Sequence, residues 1–297
     1  MEFLYSVVES FKDLIREDVR KISIINGIFW ALVWFVTGVL MWRYMINITG
    51  LLINLLPFKF VQNAGAEFIF MILWLQAVLI SIGVFFTLFN SFLSKKIFSI
   101  LIAFIFAVFW IIVFFYYKSE IINYLQKLIR IFPFESIEQA VSVVLAIFIL
   151  YSFYIVSMYL GFLLLSEKYI LNLIKEEYSY MEINSNFSRI KIFSILLKDF
   201  LIFLVALFLL YPLLFVPFVN IVLITILWAY VIKNALYECV TSIVGKIDID
   251  QKLIWSFAVV NVILNFIPLV NIFAPALAVL SLYHYIMEKK TDLLENS

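Results

Sequence analysis

Residues 200–232 read FLIFLVALFLLYPLLFVPFVNIVLITILWAYVI, a run without Asp, Glu, Lys or Arg. One helix crosses about 30 Å of hydrocarbon with roughly 20 apolar residues. The run is therefore too long for one span and too short for two spans with a turn. Pro212 and Pro217 fall near its middle. Proline suits the first turn of a helix and disrupts its interior, so the run reads as two helices meeting at a turn. Residues 253–287 repeat the pattern with Pro268 and Pro275, and Phe215-Val216-Pro217-Phe218-Val219-Asn220-Ile221 matches Phe266-Ile267-Pro268-Leu269-Val270-Asn271-Ile272 at five of seven positions. Arms of 200–216 and 218–232 would reach only roughly 25 and 23 Å as helices. The two hairpins, bounded at 199–236 and 253–287, are thus thin spans or re-entrant hairpins, and arm length favours the second. A re-entrant turn survives at depth only where it is buried in protein or lines a wet cavity.

Four further uncharged runs, 22–42, 68–94, 97–117 and 139–166, each supply one span. Hydrocarbon forces the backbone to satisfy its own hydrogen bonds, so each is a helix. Repeated ten-residue alternating segments, the mark of a barrel, are absent. The expected fold is all-α and integral to the membrane, with about four long transmembrane helices and two Pro-interrupted hairpins. Composition agrees, at 66% hydrophobic and 14% charged residues with a mean hydropathy of +1.11. Soluble domains hold about 45–50% and about 25%. A net charge of +1 gives no reason to expect nucleic acid, and the single Cys239 excludes an intramolecular disulfide framework.

Residues 1–21 carry nine charges ahead of the first apolar run, which does not suit a cleavable signal. Phe3, Val7, Phe11, Leu14, Ile15, Val19 and Ile22 recur at helical spacing, the pattern of an amphipathic helix in the bilayer interface. Residues 22–297 then form one polytopic domain. With the N-terminus inside, 16 Lys and Arg lie inside and five outside (Arg43, Lys59, Lys118, Lys127 and Arg130), which favours N-in and C-in. Both hairpin tips then point outward. Segments 120–131 and 167–198 read as amphipathic, the second as a small cytoplasmic cap.

Enzyme signatures are missing: no Gly-x-Ser-x-Gly, His-Glu-x-x-His, Walker loop or dinucleotide glycine pattern occurs. No cofactor or metal is expected. The one histidine, His284, stands between Tyr283 and Tyr285 and reads as an aromatic-belt residue. Every Asp and Glu lies at or beyond a span end, which speaks against a relay of buried carboxylates. The polar groups left inside are mainly amides. Asn261 and Asn265 are four apart on one helix face; their plain role is interhelical hydrogen bonding. A helix starting at Pro217 or Pro268 leaves free N–H groups and a positive dipole end at the turn, a device broken transporter helices use toward anions. The plainer alternative is a tight turn whose Asn220 or Asn271 caps the next arm.

At these turns the sequence resembles the CysZ-type sulfate permeases and their relatives, which include the etoposide-induced membrane proteins. The resemblance rests on Phe215–Ile221 followed by Leu227-Trp228-Ala229-Tyr230, on Phe266–Ile272 followed by Ala274-Pro275, and on an amphipathic helix and basic pair before the first span. It covers roughly residues 1–60 and 140–290. It implies two long spans, two partly penetrating hairpins, a homo-oligomer in the inner membrane, and sulfate uptake without nucleotide hydrolysis. The family's Gly-Leu/Ile-Arg-Arg motif falls on Asp18-Val19-Arg20-Lys21. Arg20 and Lys21 are thereby implied as anion contacts, with Asp18 where the family has glycine. The resulting expectation is a permease for a small anion, with the turns Pro217, Asn220, Pro268 and Asn271 lining the path. The alternative is a membrane scaffold that conducts nothing.

Overall fold

The computed structural model describes residues 2–55, 137–178, 185–216, 219–267 and 269–295, with scattered positions between 108 and 123. The expected span 68–94, most of 97–117 and 120–131, and the turn prolines Pro217 and Pro268 lie outside the described residues. Among the described residues every regular element is helical. Helix α1 covers Glu2–Asp13, α2 Glu17–Asn54 and α3 Ile137–Glu177. Helix α4, Arg189–Leu210, ends in a 3-10 turn at Tyr211–Phe215, and α5 covers Val219–Val244. Helix α6, Gln251–Ile263, passes through two short 3-10 turns, Leu264–Phe266 and Val270–Phe273, into α7 at Ala274–Glu295. Five segments are long and apolar enough to cross a membrane: Glu17–Asn54, Val141–Glu177, Arg189–Leu214, Val219–Val244 and Val270–Leu293. The all-α membrane fold expected from the uncharged runs is the one observed.

The hairpins are less alike than their repeated sequence. Both arms of the first are 26 residues long, about 39 Å each, so the short arms read from uncharged residues alone are corrected. The helices run on through charged positions. Asp199, 3% exposed within α4, accepts a hydrogen bond from Asn234 Nδ2 of α5 at 2.7 Å. Lys233 Nζ in turn donates to Asn234 Oδ1 at 2.8 Å. Once partnered, such residues continue a helix past its apolar section. For the same reason the segment expected as a cap, 167–198, consists largely of helix ends: α3 continues to Glu177 and α4 begins at Arg189. The second hairpin keeps a short first arm, Gln251–Phe266, roughly 24 Å long.

The chain divides into two compact units, one of Met1–Leu40, Ile149–Leu210 and Val222–Ser297, the other of Met41–Phe148 and Tyr211–Ile221. Within the first, α7 is the central helix. Ala274 and every side chain from Ala276 to Tyr283 are buried, as befits a helix apolar on all sides. Helix α1 lies along it. Phe3 packs on Phe257 of α6 with ring centroids 4.6 Å apart, and Ser6 and Ser10 are fully buried. Small polar residues let the two backbones approach closely. The opposite face of α1 exposes Val8 and Phe11, and Ile15 in the turn that follows is exposed as well. Helix α2 meets α3 through Trp34, whose Nε1 donates to Ser157 Oγ at 2.9 Å. Its other side exposes Leu32, Phe35 and Leu40, an apolar face suited to lipid. Within the second unit, Tyr211 O–H donates to the Leu52 carbonyl at 3.0 Å, while Thr49 and Ile53 are buried.

Helix α5 ends at Gly245, whose φ of +99° lies in the left-handed region and whose N–H bonds the Thr241 carbonyl at 2.9 Å. Lys290 Nζ of α7 closes the same end by donating to the Val244 carbonyl. Gly245→Ala is expected to cost about 1 kcal/mol, because a Cβ is strained at this φ. The loss should register as a lower melting temperature in detergent. An unchanged melt would mean that the end adjusts without strain.

Candidate functional site

The second hairpin turn is built into the first unit at a defined depth. Ile272 packs on Gly27 of α2; a Cβ at position 27 would come within 2.7 Å of Ile272 Cγ2. Gly27 lies inside the uncharged run 22–42, so this turn sits beside apolar helix rather than beyond its end. Its outermost residues are apolar: Leu269, at φ +70°, is 78% exposed, and Val270 is partly exposed. Its inward side is polar. Asn271 Nδ2 donates to Tyr151 Oη of α3 at 3.0 Å, and the Tyr151 hydroxyl donates to the Asn265 carbonyl. Trp228 of α5 stacks at a tilt on Phe266 with centroids 5.3 Å apart, and its Nε1 bonds Ser152 Oγ at 3.3 Å. The Asn265 side chain, fully buried, faces the Tyr159 hydroxyl. Its oxygen and nitrogen, and that hydroxyl, all fall short of hydrogen-bonding geometry. Burying a polar group without a partner costs roughly 1–3 kcal/mol, so Asn265 is the least satisfied group of the turn.

The residues singled out from sequence separate into different places. Asn261 Nδ2 bonds the Phe257 carbonyl at 2.8 Å and Ser281 Oγ of α7 at 3.3 Å, an interhelical clasp. Asn220 is buried in the second unit, where its Oδ1 accepts from the Ile221 N–H at 2.7 Å; it satisfies the first turn of its own helix. Arg20 and Lys21 are both exposed, and Lys21 Nζ pairs with Glu17 at 2.6 Å. Among the described residues no hydrogen bond or ion pair joins either cation to the turn amides.

His284 is buried against protein, and its Nε2 lies 2.6 Å from Asp13 Oδ2, a side chain equally enclosed. With Asp199 this makes two buried aspartates among the described residues, both outside the uncharged runs, one ahead of the first and one at the edge of 200–232. Around the pair opens a cleft of about 390 Å³ lined by Tyr5, Glu9 and Asp13 from α1, Glu177 and Tyr178 at the end of α3, and His284, Glu288, Thr291 and Asp292 from α7. Lys12 Nζ pairs with Glu9 at 2.6 Å, and this hydrogen bond holds the Glu9 carboxyl below its ordinary pKa. Arg16 bonds Glu176 and stands 3.8 Å from Glu177. Sequence reading missed this site because Asp13 and His284 are 271 residues apart; only the face of α1 carrying Ser6, Ser10 and Asp13 hinted at a polar partner. Among the described residues no three His, Cys, Asp or Glu side chains converge to hold a metal ion.

Comparison with known proteins found no matching family model, curated protein or solved structure.

Proposed function

We propose that this chain is a permease-like membrane protein in which the second hairpin turn forms part of the path of a small solute. The observation that carries the reading is Asn265: an uncharged turn packed within the first unit holds a buried amide that faces the Tyr159 hydroxyl with neither polar atom in hydrogen-bonding geometry. Broken helices with free polar groups at mid-depth are how secondary transporters engage solutes. Sulfate or another small anion is the first class to test, on the strength of the resemblance at the Pro-Asn turns. The acidic cleft and the Lys21–Glu17 pair leave Arg20 as the more available cation for such an anion. An inner-membrane setting, N-in and C-in orientation and a homo-oligomer belong to the same proposal.

A non-transporting scaffold is the second reading, favoured by the fact that Asn220, Asn261 and Asn271 all spend their amides on internal bonds. Uptake of labelled sulfate into liposomes holding the purified protein, with chloride and phosphate as competitors, separates the two. The permease reading expects saturable uptake over empty liposomes that falls at least about tenfold in Asn265→Leu, the equivalent of roughly 1.4 kcal/mol. It expects a smaller loss in Tyr151→Phe. Absence of flux for every anion tested, from folded and inserted protein, overturns it in favour of the scaffold.

A further inference from the structure

Lysines bound the uncharged runs 200–232 and 253–287 at one end of three helices. Lys198 stands just ahead of the first run, Lys233 directly after it, and Lys252 directly ahead of the second. Packing brings these ends of α4, α5 and α6 together within the first unit. Asp199 of α4 meets Asn234 of α5 at 2.7 Å, and Lys233 Nζ stands 5.2 Å from the Trp255 ring of α6 and 5.5 Å from the Tyr230 ring. Lys252, which is exposed, precedes Trp255 by one turn. Lys198, also exposed, lies one heptad from Lys191, on the stripe of α4 whose Lys191 reaches Glu238 of α5 at 2.6 Å. The carboxylates nearby are spent elsewhere: Asp199 on Asn234, Glu238 on Lys191, and Asp250 on the Lys252 backbone N–H, where it caps α6. Among the described residues no ion pair joins Lys198, Lys233 or Lys252 to a carboxylate.

From this basic edge the open face of α5 runs into apolar surface. Val222, Ile226, Tyr230 and Lys233 recur at helical spacing along one stripe, and Val222 and Ile226 are exposed. The stripe is aliphatic, then aromatic, then cationic, which is the order of tail, interface and headgroup in a lipid. We propose that the seam of α4, α5 and α6 binds an anionic phospholipid, with its phosphate on Lys233, Lys198 and Lys252 and an acyl chain along Ile226 and Val222. Three observations select this ligand. Lysines without counter-ions at the end of apolar helices complement a phosphate, and basic pockets between helices at a membrane edge receive such headgroups. The rings of Tyr230 and Trp255 hold the Lys233 ammonium by cation–π attraction, as residues of interfacial depth. Its bond to Asn234 Oδ1 fixes the ammonium and leaves donors over for a phosphate. The apolar stripe favours a lipid over a free anion, because only an acyl chain gains by covering it. This site does not depend on the transport reading, since a lipid binds there whether or not solute crosses.

The test uses the full-length protein in detergent micelles, titrated with short-chain phosphatidylglycerol and read by native mass spectrometry. Phosphatidylcholine with the same chains and sodium phosphate are the comparison ligands. Saturable phosphatidylglycerol binding is expected, tighter than that of phosphatidylcholine. A lysine near a headgroup is worth about fivefold in affinity, so Lys198→Gln and Lys252→Gln should each weaken binding by about that factor, and the double variant by roughly 25-fold. Both side chains are exposed, so their variants keep the fold in which the seam is tested. Lys175→Gln, at the exposed end of α3, should leave the affinity unchanged. Equal binding of phosphatidylcholine, displacement of the lipid by sodium phosphate at matched ionic strength, unchanged affinity in the double variant, or an equal loss in Lys175→Gln would each overturn the proposal.

Discussion

Gly161→Ala is expected to destabilise the folded protein by about 2–4 kcal/mol, although alanine is the better helix former. Gly161 lies on α3 where Asn26 and Trp30 of α2 cross it; a Cβ there would come within 2.5 Å of Trp30 Nε1. The same crossing holds the bond from Asn26 Nδ2 to the Met158 carbonyl at 2.8 Å, in a fully enclosed setting. An added methyl must displace both side chains. The displacement breaks a buried hydrogen bond, at roughly 1–3 kcal/mol, as well as the packing. Gly50→Ala is the internal control. Its nearest neighbour would be Ser142 Oγ at 3.8 Å, ordinary contact, so helix propensity should make it neutral or stabilising by up to about 1 kcal/mol. Unfolding in mixed SDS micelles reads both variants. Equal stability of the two would refute close packing as the reason for glycine at 161.

Asn234→Leu is the second large effect. It removes the donor to Asp199 Oδ2 and the acceptor for Lys233 Nζ, leaving a carboxyl that is 3% exposed without this partner. Stranding one member of a buried polar pair costs about 3 kcal/mol. Removing both members with apolar replacements costs far less, so the double variant Asp199→Leu, Asn234→Leu should recover most of the loss. The contrast is Lys191 with Glu238, paired at 2.6 Å but with the lysine side chain 53% exposed. Lys191→Met should change stability by less than about 1 kcal/mol. A double variant as unstable as Asn234→Leu alone would mean that the helices are held by something other than this pair.

Both effects sit where α-helices touch, and neither position stands out in the sequence. Gly161 is one glycine among seven, and nothing in its neighbours foretells an indole lying across it. Asp199 and Lys233 bound the uncharged run 200–232, and counting charges placed Asp199 and Asn234 outside the helix core. The count failed there because an isolated charge ends an apolar section, whereas a partnered one is carried inside it. That difference also separates the two hairpins. Their turns share five of seven residues, yet the first has 26-residue arms and the second a first arm of 16. Sequence identity at the turn says nothing about how far its arms continue.

The sequence by itself determined that the chain is helical, that it has helices apolar enough to cross a membrane, and that its last two apolar runs are each interrupted by proline near the middle. Those conclusions follow from local requirements: apolar length against bilayer thickness, backbone hydrogen bonds in hydrocarbon, and the geometry of proline. Tertiary structure alone decided which amides are spent and which are left over. Asn261 and Asn271 look equivalent to Asn265 as letters, but they reach Ser281 and Tyr151 respectively, while the Asn265 side chain faces the Tyr159 hydroxyl outside hydrogen-bonding geometry. It also decided that His284 meets Asp13 and that an acidic cleft opens beside them. Side chains 271 positions apart are brought together by helix packing, which depends on the shapes of whole faces rather than on any local signal.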